Sequence, residues 1–163
     1  MAKEPDEAQK LVMTVQLDKA AREMIGAARA LQEHSASGER VGIIGFCIGG
    51  ALALHAAAKS ELFGDAIAFY PTLMRTDSST DYGAIRGAVQ CHFAEHDHAT
   101  TPERIEQLRK QFTDADVDAE IFIYPGTDHA FFNDSRPQVH NPDAARQAWD
   151  RTLKHLQHRL TPT

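Results

Sequence analysis

A chain of 163 residues, 42% apolar and 25% charged, can bury a sizeable core and has the ordinary composition of one globular domain spanning 1–163. Its formal net charge of −6 comes with no basic run to neutralise phosphates, which argues against a nucleic-acid partner. No apolar stretch reaches the roughly eighteen residues a membrane span needs, the first residues Met1 to Glu7 are polar, and two cysteines make no disulfide framework, so a cytoplasmic location away from membranes is the expectation.

Residues 1–16 read as an N-terminal arm. Leu17, Ala21, Met24, Ala28 and Leu31 then recur at three- and four-residue spacing, which predicts an amphipathic helix over 17–34. The apolar run Val41-Gly42-Ile43-Ile44-Gly45-Phe46 predicts the first strand, 41–46, and the alanine-rich stretch after it a helix at 48–60. Further strands are predicted at 65–70, 88–94 and 119–124, and helices at 102–113 and 142–160. Thr101-Pro102 and Asn141-Pro142 each set a capping side chain before a proline at the first helical position. In the last helix Ala145, Trp149, Leu153, Leu156 and Leu160 share a face, which makes Trp149 a core anchor. Residues 71–87, rich in Thr, Ser, Asp and Gly, read as a long loop or lid starting just past a strand end at Tyr70. Strand alternating with helix is the signature of a parallel sheet, so the expected architecture is an α/β three-layer sandwich of about four strands.

Gly45-Phe46-Cys47-Ile48-Gly49-Gly50 carries the chemistry. A strand turning sharply into a helix around Gly-x-nucleophile-x-Gly exposes its nucleophile on a strained bend, and the helix N-terminus favours a thiolate at Cys47. Glycine-flanked cysteines also occur in dinucleotide-binding folds and in plain tight turns. The rest of the chain raises the nucleophile reading, because an acid and then a histidine follow at later strand ends: Asp97 after Ala88 to Ala94, and His129 after Ala119 to Tyr124 and the turn 125–128. Asp128 is a poorer acid than Asp97, since adjacent residues on a turn seldom orient one another. His92, Glu95, His96, Asp97 and His98 cluster, but no second ligand group stands at a matching spacing, so no metal is expected. Cys91, between Val89 and Phe93 on its face of a strand, reads as a small buried hydrophobe.

These stretches, with Glu95-His96-Asp97 and Tyr124-Pro125-Gly126-Thr127-Asp128-His129-Ala130-Phe131-Phe132-Asn133, resemble the dienelactone hydrolase family of α/β-hydrolases from about Leu17 to Leu156. The resemblance implies a shortened α/β-hydrolase fold and a cofactor-free hydrolase with a Cys-His-Asp triad at Cys47, His129 and Asp97. It would act on small esters, lactones or thioesters through a thioester acyl-enzyme. Phe46, Tyr70 and Phe131 are the pocket candidates; Phe131 and its neighbour could equally close the core. Dienelactones carry a carboxylate, and here Asn133 stands four residues after the histidine with Arg136 the nearest cation in sequence, so neutral esters are expected to serve at least as well.

Full-length members of that family have several strands before the elbow. Here forty residues precede Val41, and the Ile48 N–H is the oxyanion donor in sight. Val41–Phe46 would then be an uncharged, proline-free edge strand, a surface that natural sheets normally blunt or cover. Either Leu11–Gln16 folds back onto it or a second copy of the chain does, and a homodimer is the expectation. The rival functional reading is a weakly active or non-catalytic module that keeps the elbow and works through self-association.

Overall fold

A computed structural model describes residues 5–34, 40–73 and 79–160. Helices α1 (Pro5–Met13) and α2 (Leu17–Gln32) lead into strand β1 (Val41–Phe46) and helix α3 (Ile48–Lys59). Strand β2 (Phe63–Phe69), a 3₁₀ turn (Tyr82–Ala84), strand β3 (Ala88–His96), helix α4 (Pro102–Asp114), strand β4 (Ala119–Asp128) and helix α5 (Pro142–Leu160) follow. The sheet runs β1-β2-β3-β4 with all neighbours parallel, as strand–helix alternation dictates.

Alternation along the strands assigns the layers. Ala66 and Ala68 of β2, Val89, Cys91 and Phe93 of β3 and Ile121 of β4 pack with α2, α3 and α4 through Ala21, Leu54, Ile105, Leu108 and Phe112. Ile67, Phe69, Ala94 and Tyr124 turn to the other face, where Ala148 and Leu156 of α5 meet them. The result is the three-layer sandwich, with α5 on the face opposite α2, α3 and α4. Cys91 has no exposed surface and sits in the first of these cores.

Four local expectations need correction. Leu11–Met13 belongs to helix α1, so Leu11–Gln16 adds no strand, and β1 remains a sheet edge among the described residues. Trp149 is 38% exposed and Leu153 39%; the buried line of α5 is Ala145, Ala148, Thr152 and His155, one residue out of phase with the apolar stripe in the sequence. Polar partners under the sheet hold Thr152 and His155 inward, which leaves Trp149 and Leu153 partly exposed. At the α4 start the Thr101 hydroxyl bonds Glu103 instead of capping the backbone, whereas Asn141 Oδ1 does accept from the Ala144 N–H at 3.1 Å. The turn foreseen at 125–128 continues β4 through an irregularity opposite Ala94 to His96, with Gly126 at φ 65° and its N–H held by Glu95 at 2.8 Å.

Of the stretch 71–87, residues 74–78 lie outside those described; Leu73, Tyr82 and Ile85 are buried in the α2–α4 core, so the described parts are packed against the body. Among the described residues no helix is long and apolar enough to cross a membrane.

Candidate active site

Each strand ends one residue before a chemically active side chain: Phe46 before Cys47, Phe69 before Tyr70, His96 before Asp97 and Asp128 before His129. Parallel strands therefore deliver all four to one edge of the sheet, where open α/β sheets carry their ligands. The backbone is strained there. Cys47 (φ 56°), Tyr70 (φ 36°) and Ala130 (φ 69°) are non-glycine residues at positive φ, a conformation that persists only where surrounding bonds enforce it.

At the elbow, the Cys47 N–H donates to Phe69 O at 3.0 Å, and Cys47 O accepts from Gly50 N at 3.0 Å and Ala51 N at 3.3 Å, opening α3. Gly45 makes the turn possible: a Cβ there would lie 2.0 Å from Gly49 O, where no side chain fits. The bend directs the Cys47 sulfur to His129, whose Nε2 is 3.1 Å from Sγ, while the other ring nitrogen, Nδ1, donates to Asp97 Oδ2 at 2.8 Å. Asp97 is itself fixed, its side chain fully enclosed and its Oδ1 accepting the Ala99 N–H at 2.8 Å. Asp128 lies apart from this line, its carbonyl accepting from Phe131 N.

The electrostatics favour an ion pair. The hydrogen bond from His129 lowers the Cys47 thiol below its ordinary range against the opposing cost of burial, helped by Thr72, by the histidine's charge and by the Ile48 N–H. Burial works against a charged His129, yet the bonds to Asp97 and Cys47 outweigh it and raise the imidazole to about 9. Both shifts act in the direction of a thiolate facing an imidazolium.

Tyr70 stands with its ring edge against His129, centroids 5.1 Å apart, and its buried hydroxyl is pushed up to about 12 by desolvation and then by the Cys47 charge, with Arg136 opposing. Phe131 is wholly buried behind it, packed on Tyr70 and Tyr124, so it supports the site without surface of its own. Phe46 is 39% exposed and stacks on Phe69, in an aromatic row that continues through Phe132 to Trp149. Ile48 follows Cys47 at the start of α3, and its N–H hydrogen-bonds the sulfur. His96 and His98 are exposed beside the acid, and among the described residues no three ligating side chains converge as for a metal ion.

Thr72 is the residue that sequence reasoning missed: its Oγ1 is 3.6 Å from Sγ. It lies in a stretch with no periodicity, and nothing in the sequence marks it out.

A parallel sheet whose first strand turns sharply into a helix at Cys47, with Asp97 and His129 at the ends of the third and fourth strands, is the arrangement of an α/β-hydrolase. The chain belongs to the dienelactone hydrolase family, whose model matches residues 1–160. It is 31% identical to a protein of Aquifex aeolicus provisionally named a carboxymethylenebutenolidase, over 69% of this chain and 48% of that protein. It is 30% identical to a Bradyrhizobium protein provisionally named a 2-oxo-3-(5-oxofuran-2-ylidene)propanoate lactonase, over 96% of this chain and 68% of the relative. A crystal structure from Klebsiella pneumoniae, provisionally named a dienelactone hydrolase, superimposes with a TM-score of 0.82 at 25% identity, covering 94% of this chain and 67% of that one. The chain spans about half the length of several curated relatives it matches.

Proposed function

We propose that this chain hydrolyses small esters, lactones or thioesters by acyl transfer to Cys47 and then to water. The observation that carries the reading is the unbroken line Cys47 Sγ to His129 Nε2, 3.1 Å, and His129 Nδ1 to Asp97 Oδ2, 2.8 Å, at the ends of three parallel strands. The thiolate attacks the acyl carbon, the Ile48 N–H meets the oxygen as it gains charge, and His129 gives its proton to the leaving oxygen or sulfur. Once Sγ is a thioester, His129 loses the anion that helped raise it. Its affinity for a proton falls at the moment a general base is needed, and the neutral imidazole takes a proton from the water that attacks the thioester.

Turnover of p-nitrophenyl acetate and butyrate by wild type, lost in Cys47→Ala, with an acyl adduct on the Cys47 peptide by mass spectrometry, is the expected result. Equal turnover by both proteins would reject Cys47 as nucleophile.

We further propose that the chain works as a homodimer. Ile44 and Phe46 on β1 and Trp149 and Leu153 on α5 are at least 36% exposed, and β1 has no partner on its outer side among the described residues. Antiparallel pairing of two β1 edges across a two-fold axis would bury this surface and bring a second backbone near Cys47, where another oxyanion donor would help. A dimer by sedimentation at low micromolar concentration, with slow hydrogen exchange at 41–46, is expected; a monomer with rapid exchange there would reject this assembly.

A further inference from the structure

The Thr72 side chain is half-buried three residues beyond β2, and three contacts surround its position. Its N–H donates to Cys47 O at 3.2 Å, its Oγ1 sits 3.6 Å from Cys47 Sγ, and the carbonyl of the preceding Pro71 accepts from the buried Thr100 hydroxyl at 2.7 Å. Thr100 closes the same loop that holds Asp97 through the Ala99 N–H. The elbow, the acid loop and the Thr72 backbone are thus tied to one another, which holds the Thr72 Cα beside the sulfur. A thiolate has no proton to give, so in the charged state the hydroxyl must be the donor. A thioester sulfur is a far poorer acceptor, so the same bond is weak in the acyl-enzyme.

We propose that Thr72 is a catalytic residue whose hydroxyl donates to the Cys47 sulfur whenever that sulfur is an anion, and so favours departure of the thiolate when the acyl-enzyme breaks down. In that step the water oxygen bonds to the acyl carbon while its proton passes to His129. The C–Sγ bond then breaks, its electron pair stays on sulfur, and the sulfur regains the Thr72 hydrogen bond and the facing imidazolium. Thr72 keeps its own proton throughout. The inference rests on Cys47 being the nucleophile, and it adds a group that acts on the leaving sulfur in deacylation.

Thr72→Val removes the donor and keeps the shape, while Thr72→Ser keeps the donor. With Val, the pH midpoint of Cys47 alkylation by iodoacetamide should rise by roughly half a unit to one unit, and deacylation should slow about three- to tenfold, the range for one hydrogen bond to an anion. The Cys47 adduct should accumulate accordingly during turnover of p-nitrophenyl acetate. Ser should restore both quantities. Thr72→Ala removes the same hydroxyl and replaces Val if that variant does not fold. An unchanged alkylation midpoint in Val and Ala, or a Ser variant displaced as far as Val, would overturn the proposal. Absence of an adduct in wild type would instead reject Cys47 as nucleophile, and the alkylation midpoints would still decide whether Thr72 bonds the thiolate.

Discussion

Replacing His129 with glutamine is expected to cut iodoacetamide labelling of Cys47 at pH 7 by about ten- to thirtyfold, because an isolated thiol near its ordinary pKa is only a few per cent ionised there. Glutamine can still hydrogen-bond the sulfur, but it supplies no charge, and the bond from His129 is the largest of the influences that lower Cys47. Ester hydrolysis should fall further, by about a thousandfold or more, since the acid for the leaving group and the base for water go with the ring. In wild type the acylation rate should decline above a pH of about 9 as the imidazolium deprotonates, and at the acid end as the thiolate takes a proton. Cys91 serves as an internal control: burial pushes its thiol up to about 12, so it should stay unlabelled until the protein unfolds. Peptide mapping that found Cys91 labelled first, or a His129→Gln rate equal to wild type, would reject the pairing.

The sequence was most legible where a local rule acts alone. The strand-to-helix turn needs Gly45 because a Cβ there would meet the Gly49 and Gly50 backbone within the same six residues, so the motif announces its own geometry. Proline after a capping residue announced the starts of α4 and α5, although Thr101 spends its hydroxyl on Glu103, a choice between two neighbours that spacing cannot decide. Asp97 and His129 were readable as strand-end residues because the strands before them are apolar runs. Thr72 was not, since its place depends on how a connection folds over the elbow after the strands have assembled. The phase of α5 was misread for a related reason. Its apolar stripe points to Trp149 and Leu153, but Thr152 and His155 are drawn inward by partners on β2, β3 and β4, 35 to 90 residues away in the chain. Polar side chains that are buried only because distant polar partners are waiting leave no periodic trace.

That network makes the second large effect, a loss of stability in mild acid. His92 has no exposed surface and lies between the rings of Phe69 and Phe122, at 4.5 and 5.7 Å. Its Nδ1 is 2.8 Å from Tyr124 OH, and its Nε2 is 3.0 Å from Gln90 Oε1 and 3.1 Å from Thr152 Oγ1. Burial first, then the charges of Arg151 and His155, lower the imidazole to about 3. Below about pH 6.5 the unfolded chain binds a proton at this residue that the folded chain refuses, so stability must fall with pH across the window from about 6.5 to 3. The slope amounts to about 1.4 kcal/mol per unit, on the order of 3 kcal/mol by pH 4, a large share of an ordinary domain's total. The raised histidines do not add to this slope. His155 is raised by its bond to Asp65 at 2.9 Å, and His129 is raised to about 9; both contribute fully below about 6.5 and lose that contribution only as pH climbs through their elevated values. Urea denaturation should therefore show wild type losing on the order of 3 kcal/mol more than His92→Gln between pH 7 and pH 4, with glutamine able to keep one of the hydrogen bonds. If that variant does not fold, the His92 ring resonances of wild type give the same answer, since they should remain those of neutral imidazole down to pH 4. An imidazolium signal in the folded protein at pH 5, or a wild-type loss no steeper than the variant's, would show that the network accepts the charge.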